Sequence, residues 1–218
     1  MFIGGNHEAS NYMRELYFGG WAAKNIYFIG NSGVVDIKLN DQIITLGGIS
    51  GIKGHHDYRK GLFEQFPYND STLRSIYHYR EFEISKFRVY SKLCAAKQRK
   101  VQLFMSHEWP EMITYKDQLS QKSFEFLVRK KGFLKNEILN ENLGARCLNS
   151  VMENLMPDVW MSAHLHVKFN SEVKYQNNLV TQFIALSKPK PGKQNGFKSD
   201  PYMDILQVSI GGDKKVEI

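Results

Sequence analysis

The chain has 218 residues, 42% of them hydrophobic and 23% charged, which is enough for one folded domain and rules out wholesale disorder. No apolar run approaches the ~18 residues that a membrane span needs, and Asn6, His7, Glu8 and Arg14 stand where a signal peptide would carry its apolar core. Two cysteines, Cys94 and Cys147, are too few for a disulfide framework, so a reducing compartment is expected, and the net charge of +7 points to an anionic partner.

The chain opens on Phe2-Ile3, which reads as the end of a buried strand before Gly4-Gly5. Ser10 to Leu16 predicts a short helix with Ser10 as N-cap. Asn25–Ile29 and Val34–Leu39 read as strands, and Asn40-Asp41 turns the second back into Gln42–Leu46, which Gly47-Gly48 then stops. Residues 50–80 lack periodicity and read as a long structured loop. Ser85–Lys100 predicts a helix, Val101–Met105 a buried strand, and Phe124, Leu127 and Val128 one face of a helix ending at Gly132. Leu148, Val151 and Leu155 share a helical face that stops before Pro157. Strands are expected at Val159–Ser162, Val180–Leu186 and Met203–Ile210, with a surface loop at 187–202 between the last two. Strands alternating with helices indicate an α/β sandwich in a single domain spanning 1–218.

The positive charge is concentrated. Residues 52–100 hold eleven basic side chains against five acidic ones, interleaved with Tyr58, Tyr68, Tyr77 and Tyr79. Cations pair with phosphates and aromatic faces stack on unpaired bases, so the segment reads as a surface for single-stranded RNA; a solvated face with core aromatics is the plainer alternative.

Three polar clusters each follow an expected strand, where α/β folds gather functional groups. They are Gly4-Gly5-Asn6-His7-Glu8, Ser106-His107-Glu108-Trp109 and Ser162-Ala163-His164-Leu165-His166. In an extended segment His164 and His166 would face one side, and imidazoles converging from two strand ends suit a borderline divalent metal. Asn6 adds an amide oxygen, and Gly5 allows close backbone approach. Glu8 and Glu108 read as supporting partners of the candidate ligands. His55-His56 follows no strand and reads as surface.

With G-N-H-E, a histidine after a strand and then H-x-H, the chain resembles the calcineurin-like metallophosphoesterases, and more closely the intron lariat debranching enzymes. The resemblance rests on G-G-N-H-E-A-S-N-Y at 4–12, G-G-W at 19–21, N-I-Y at 25–27 and G-G-I-S-G-I at 47–52. It continues through H-D-Y-R-K-G at 56–61, P-Y-N-D-S-T-L-R-S-I-Y-H-Y-R at 67–80, S-H-E-W-P at 106–110, S-A-H-L-H-V-K-F at 162–169 and T-Q-F-I-A-L at 181–186.

The resemblance implies a sandwich of sheets flanked by helices, and hydrolysis of the 2′-5′ phosphodiester at the branch of excised intron lariats during mRNA processing in the nucleus. It makes Asn6, His107 and His164 ligands of one divalent ion (iron, zinc or manganese) and His166 a ligand of a second. His7 becomes the group that protonates the leaving 2′-oxygen, and branched RNA the partner of Tyr58, Arg74, Tyr77, His78 and Arg80 in the 50–80 loop. The family's opening strands, its first histidine ligand and its bridging Gly-Asp have no counterpart before Gly4. The expectation is therefore an N-terminally truncated domain that binds at most one ion and is inactive alone. Two other readings stay open: another metallophosphoesterase, and a non-catalytic RNA-binding relic.

Overall fold

The computed structural model describes residues 1–188 together with 207–209 and 215–217. In chain order come α1 (Ser10–Glu15), β1 (Gly20–Ala23), β2 (Ile26–Phe28), β3 (Ser32–Leu39), β4 (Gln42–Ile49) and β5 (Ile52–Lys53). Next are α2 (Asp70–Ser75), β6 (His78–Tyr79), α3 (Glu81–Ala96), β7 (Leu103–Ser106), a 3-10 turn at Glu111–Thr114 and α4 (Gln121–Lys130). Then follow α5 (Leu134–Leu139), α6 (Arg146–Leu155), β8 (Val159–Ser162), β9 (Phe169–Lys174), β10 (Val180–Ala185), β11 (Gln207–Ser209) and β12 (Lys215–Glu217).

Six strands form one mixed sheet in the order β3-β4-β7-β8-β10-β9. The four central strands are parallel, and β3 and β9 close the two edges antiparallel. One face packs on the helices through Phe87, Phe104, Trp109, Leu127, Leu148 and Trp160, all buried, with the Phe104 and Trp160 ring centroids 4.2 Å apart. Truncating a buried aromatic of this kind to Ala costs about 3–5 kcal/mol. The other face buries a smaller cluster of Ile44, Leu46, Leu103, Val159 and Ile184. A mixed sheet flanked by helices is the α/β architecture expected of a metallophosphoesterase, and among the described residues no helix is long and apolar enough to cross a membrane.

Several elements depart from the sequence reading, each for a local reason. Ala9, not Ser10, occupies the N-cap of α1, and no side chain caps that helix. The diglycine does not stop β4, which runs through to Ile49. A β-carbon on Gly47 would lie 2.7 Å from Phe104, and one on Gly48 2.8 Å from Ile3, so the bare backbone is what lets both side chains close over the strand. α3 starts and ends four residues earlier than expected, with Glu81 and Glu83 in its positive first turn; past its end, Gln98 turns the chain with φ +52°. β7 likewise begins two residues later than expected. β1, α5 and β9 went unforeseen. β9 carries a period-two signal, Phe169 and Val173 facing in with exposed residues between them. Of the strand expected at Met203–Ile210, residues 207–209 form β11, paired with β12; the rest, and residues 189–202 of the expected surface loop, lie outside the described residues.

The 50–80 segment is more ordered than a loop. β5 and β6 pair in parallel, and α2 begins with a capping box in which the Asn69 side chain accepts from the Thr72 amide and Thr72 Oγ1 accepts from the Asn69 amide. The buried guanidinium of Arg80 pairs with Glu64 and donates to the carbonyls of His78 (2.7 Å) and Ser75 (3.1 Å).

Candidate metal centre and the segment beside it

β7 and β8 are parallel neighbours with Met105 level with Met161, so the turns leaving their C-terminal ends emerge together. Those turns carry His107 and His164. Asn6 reaches the same place because Phe2 bridges Phe28 and the Gly51 amide donates to the Gly4 carbonyl at 2.8 Å, laying the first residues alongside β2 and the end of β4. Asn6 Oδ1 lies 3.0 Å from His107 Nε2, which lies 3.2 Å from His164 Nδ1. A β-carbon on Gly5 would meet the His107 ring at 2.6 Å, so glycine is what admits the imidazole.

The surroundings fix these groups. Glu8 Oε2 accepts the amides of Gly5 (2.6 Å) and His7 (3.2 Å), holding the turn that presents Asn6. Ser106 and Ser162 join their hydroxyls at 2.9 Å across β7 and β8, and Trp109 Nε1 donates to the Ala163 carbonyl. The His164–His166 stretch is not extended, contrary to the reading from alternation. Both residues sit in the left-handed region, with φ +57° and +56°, and the Leu165 amide donates to the Ala163 carbonyl in a tight turn. Such conformations cost of order 1–3 kcal/mol each and collect at functional sites. His166 is exposed and makes no hydrogen bond to the other three.

Electrostatics keep the convergent rings neutral. Burial, reinforced by His164, lowers the His107 pKa to about 4, and burial followed by the charge of His7 lowers that of His164. Burial and Lys188 lower that of His166. A neutral imidazole has a free lone pair, as a metal ligand must. Among the described residues no three His, Cys, Asp or Glu side chains group as a metal site. The convergent trio has an amide oxygen as its third donor. With metal–ligand bonds of ~2.0–2.2 Å, donors around one ion lie roughly 3.0–3.5 Å apart, so the 3.0 and 3.2 Å spacings fit a single divalent ion.

The ordered segment adjoins this centre through Glu108, whose Oε2 accepts the Lys53 amide at 2.8 Å and the Tyr79 hydroxyl at 2.9 Å. Burial raises the Glu108 pKa despite those bonds. Of the five residues expected to meet RNA, Arg74 is exposed on α2 and Tyr77 borders a cleft lined by Gly4, Gly5 and Arg14. His78 is tied to Asp57 at 2.7 Å, and Tyr58 is half-buried against the core with its hydroxyl pushed up to about 12 by burial. Arg80 departs from expectation. Its cation is buried and spent on Glu64 and three carbonyls, so it shapes the segment and offers no free charge. His55, read as plain surface, is exposed but lines a cleft with Glu108 and His164. The sequence held no signal for that, because the proximity comes from the β5–β6 pairing.

No family model matches the chain. Curated relatives do. A lariat debranching enzyme of Arabidopsis thaliana is 45% identical over 210 residues, covering 95% of this chain and 44% of the relative. That of Homo sapiens is 43% identical over 214 residues, covering 95% and 35%, and that of Schizosaccharomyces pombe 40% over 177 residues, covering 81% and 35%. The chain thus spans less than half the length of these relatives. A solved chain titled "GAP50 the anchor in the inner membrane complex of Plasmodium" aligns at a TM-score of 0.28 and 14% identity, covering 81% of this chain and 45% of that one, too slight a likeness to inform the fold. On identity sustained over nearly all its residues, the chain belongs to the lariat debranching enzyme family.

Proposed function

We propose that the protein hydrolyses the 2′-5′ phosphodiester at the branch of lariat RNA, in nuclear mRNA processing, with a divalent metal as cofactor. The observation that carries this reading is the meeting of Asn6 Oδ1, His107 Nε2 and His164 Nδ1 within 3.0 and 3.2 Å, in a chain whose relatives are named for debranching. Those three side chains would hold one ion of iron, zinc or manganese, and His166 would serve a second. When bound, the metal supplies positive charge against the phosphodiester and lowers the pKa of water.

The remaining chemistry belongs to the chain. The water oxygen bonds to phosphorus as the bond from phosphorus to the 2′-oxygen breaks, leaving a 5′-phosphate and a 2′-hydroxyl. His7 is exposed beside the trio, with its backbone held by Glu8, and its imidazole would give the leaving 2′-oxygen its proton. Glu8 and Gly5 position Asn6 and His107. The exposed Arg74, with Tyr77 at the cleft, would hold the RNA near the branch, as a phosphate contact and a stacking face respectively.

Two measurements test the reading. Calorimetric titration of residues 1–218 with Zn²⁺ or Mn²⁺ should give at most one ion per chain, lost in His107→Ala and in His164→Ala. Incubating a synthetic branched RNA and metal with residues 1–218 preceded by the opening segment of a debranching relative should release a linear product bearing a 5′-phosphate, residues 1–218 alone should not, and His7→Ala should abolish release while retaining the metal. Cleavage that persists in His7→Ala would remove that residue from the mechanism.

A further inference from the structure

A branched RNA sends three strands out of one nucleotide, and the 50–80 segment lies on only one flank of the candidate centre. That segment leaves the sheet after β4, on one side of β7 and β8. On the other side the sheet ends at β9, and there the first residues of β9 and the helix α4 border an open groove containing Lys122, Ser123, Phe126, Lys168 and Asn170. Residues 116–135 carry six basic side chains against two acidic ones. Lys122, Arg129 and Lys135 are exposed. The half-buried ring of Phe126 has the Arg129 guanidinium 5.9 Å and the Lys130 ammonium 5.7 Å from its centroid, and the exposed Phe133 pairs with Lys131 at 5.9 Å. Lys131 is also within electrostatic reach of His166.

We propose that this groove between α4 and β9 is a second track for single-stranded RNA, taking an arm of the branched substrate that leaves on the flank opposite the 50–80 segment. The proposal rests on the branched-RNA reading above. Cations along the groove meet successive phosphates, and Phe126 and Phe133 offer faces on which bases stack without sequence preference. The geometry suits an intron branch, whose flanking sequence varies from one RNA to the next while its three-way chemistry does not.

The test compares Lys122→Glu/Arg129→Glu with the otherwise identical protein, both carrying His7→Ala to prevent turnover. Both charge reversals are at exposed positions, and an unchanged thermal midpoint checks the fold. Affinity is measured by fluorescence anisotropy for a three-armed RNA, for three versions each with one arm cut to a single nucleotide, and for a linear RNA of equal length. The double variant should bind the three-armed RNA about tenfold or more weakly, with a salt slope smaller by roughly 1.4, since each single-strand phosphate contact adds about 0.7. For one of the trimmed RNAs the two proteins should bind alike, which identifies the arm. Phe126→Leu, keeping an apolar side chain, should weaken the same RNA and spare the same trimmed one. Equal affinity of both proteins for the three-armed RNA, or the same loss on every trimmed version, overturns the track. Equal binding of three-armed and linear RNA by the protein with an intact groove overturns the branched-substrate reading instead.

Discussion

Gly5 packs against the His107 ring so closely that a β-carbon there would lie 2.6–2.8 Å from three of the ring atoms. Gly5→Ala should therefore push the imidazole away from Asn6 and His164. Metal affinity measured by calorimetry should fall tenfold or more, about 1.4 kcal/mol. Gly61→Ala, at a site where a β-carbon meets nothing within 4 Å, should leave it unchanged.

Glu8 holds two amides of the Asn6 turn with one oxygen. Glu8→Gln keeps the shape and removes the charge. A charge-assisted bond is worth about twice a neutral one, so the metal dissociation constant should rise several-fold with little change in the melting temperature. Unaltered metal binding in this variant would make Glu8 a bystander.

Arg80 and Glu64 form a buried pair inside the 50–80 segment. Arg80→Ala strands the Glu64 carboxylate and should cost about 3–5 kcal/mol in urea unfolding. Arg74→Ala, at an exposed position on α2, should stay within about 0.5 kcal/mol of wild type. RNA binding should show the reverse in one respect, because only the exposed Arg74 removes a phosphate contact from a folded surface and lowers the salt slope.

Burial pulls the Asp57 carboxyl upward, but hydrogen bonds from His78 and Lys60 outweigh it and hold the pKa below the ordinary carboxylate value. With the folded pKa depressed, the stabilisation is complete above the unfolded value of about 3.9. It is lost as pH falls through the folded one. Chemical denaturation between pH 6 and 2 should show stability falling at the acid end, and Asp57→Asn should start lower and lose that part of the slope. An identical acid limb in both proteins would mean the Asp57–His78 contact at 2.7 Å adds nothing in solution.

Much of the candidate centre is legible in the sequence because strand ends are. A buried apolar run followed by Ser-His or Ser-Ala-His locates the C-terminal edge of a parallel sheet, and there His107 and His164 meet. What escapes such reading is set by partners distant in the chain. Nothing near Arg80 reveals that Glu64, sixteen residues earlier, will bury it. Alternation at His164-Leu165-His166 suggests an extended strand, yet β8 has already ended at Ser162 and both histidines adopt left-handed backbone. The Asn69/Thr72 capping box marks a helix start, but α2 is only six residues long and apolar periodicity cannot show over so short a span.

The β5–β6 pair limits how the 50–80 segment can move. The Ile52 amide donates to the Tyr77 carbonyl at 3.1 Å, and the Lys53 amide to the carboxylate that follows His107, so the base of the 50–80 segment is fastened to the same strand end as the candidate ligand. A flap hinged at residues 50 and 80 would have to break those bonds each time it opened. The segment is thus shaped in advance, and amide protons at Ile52 and Lys53 should exchange with solvent as slowly as those of the central sheet.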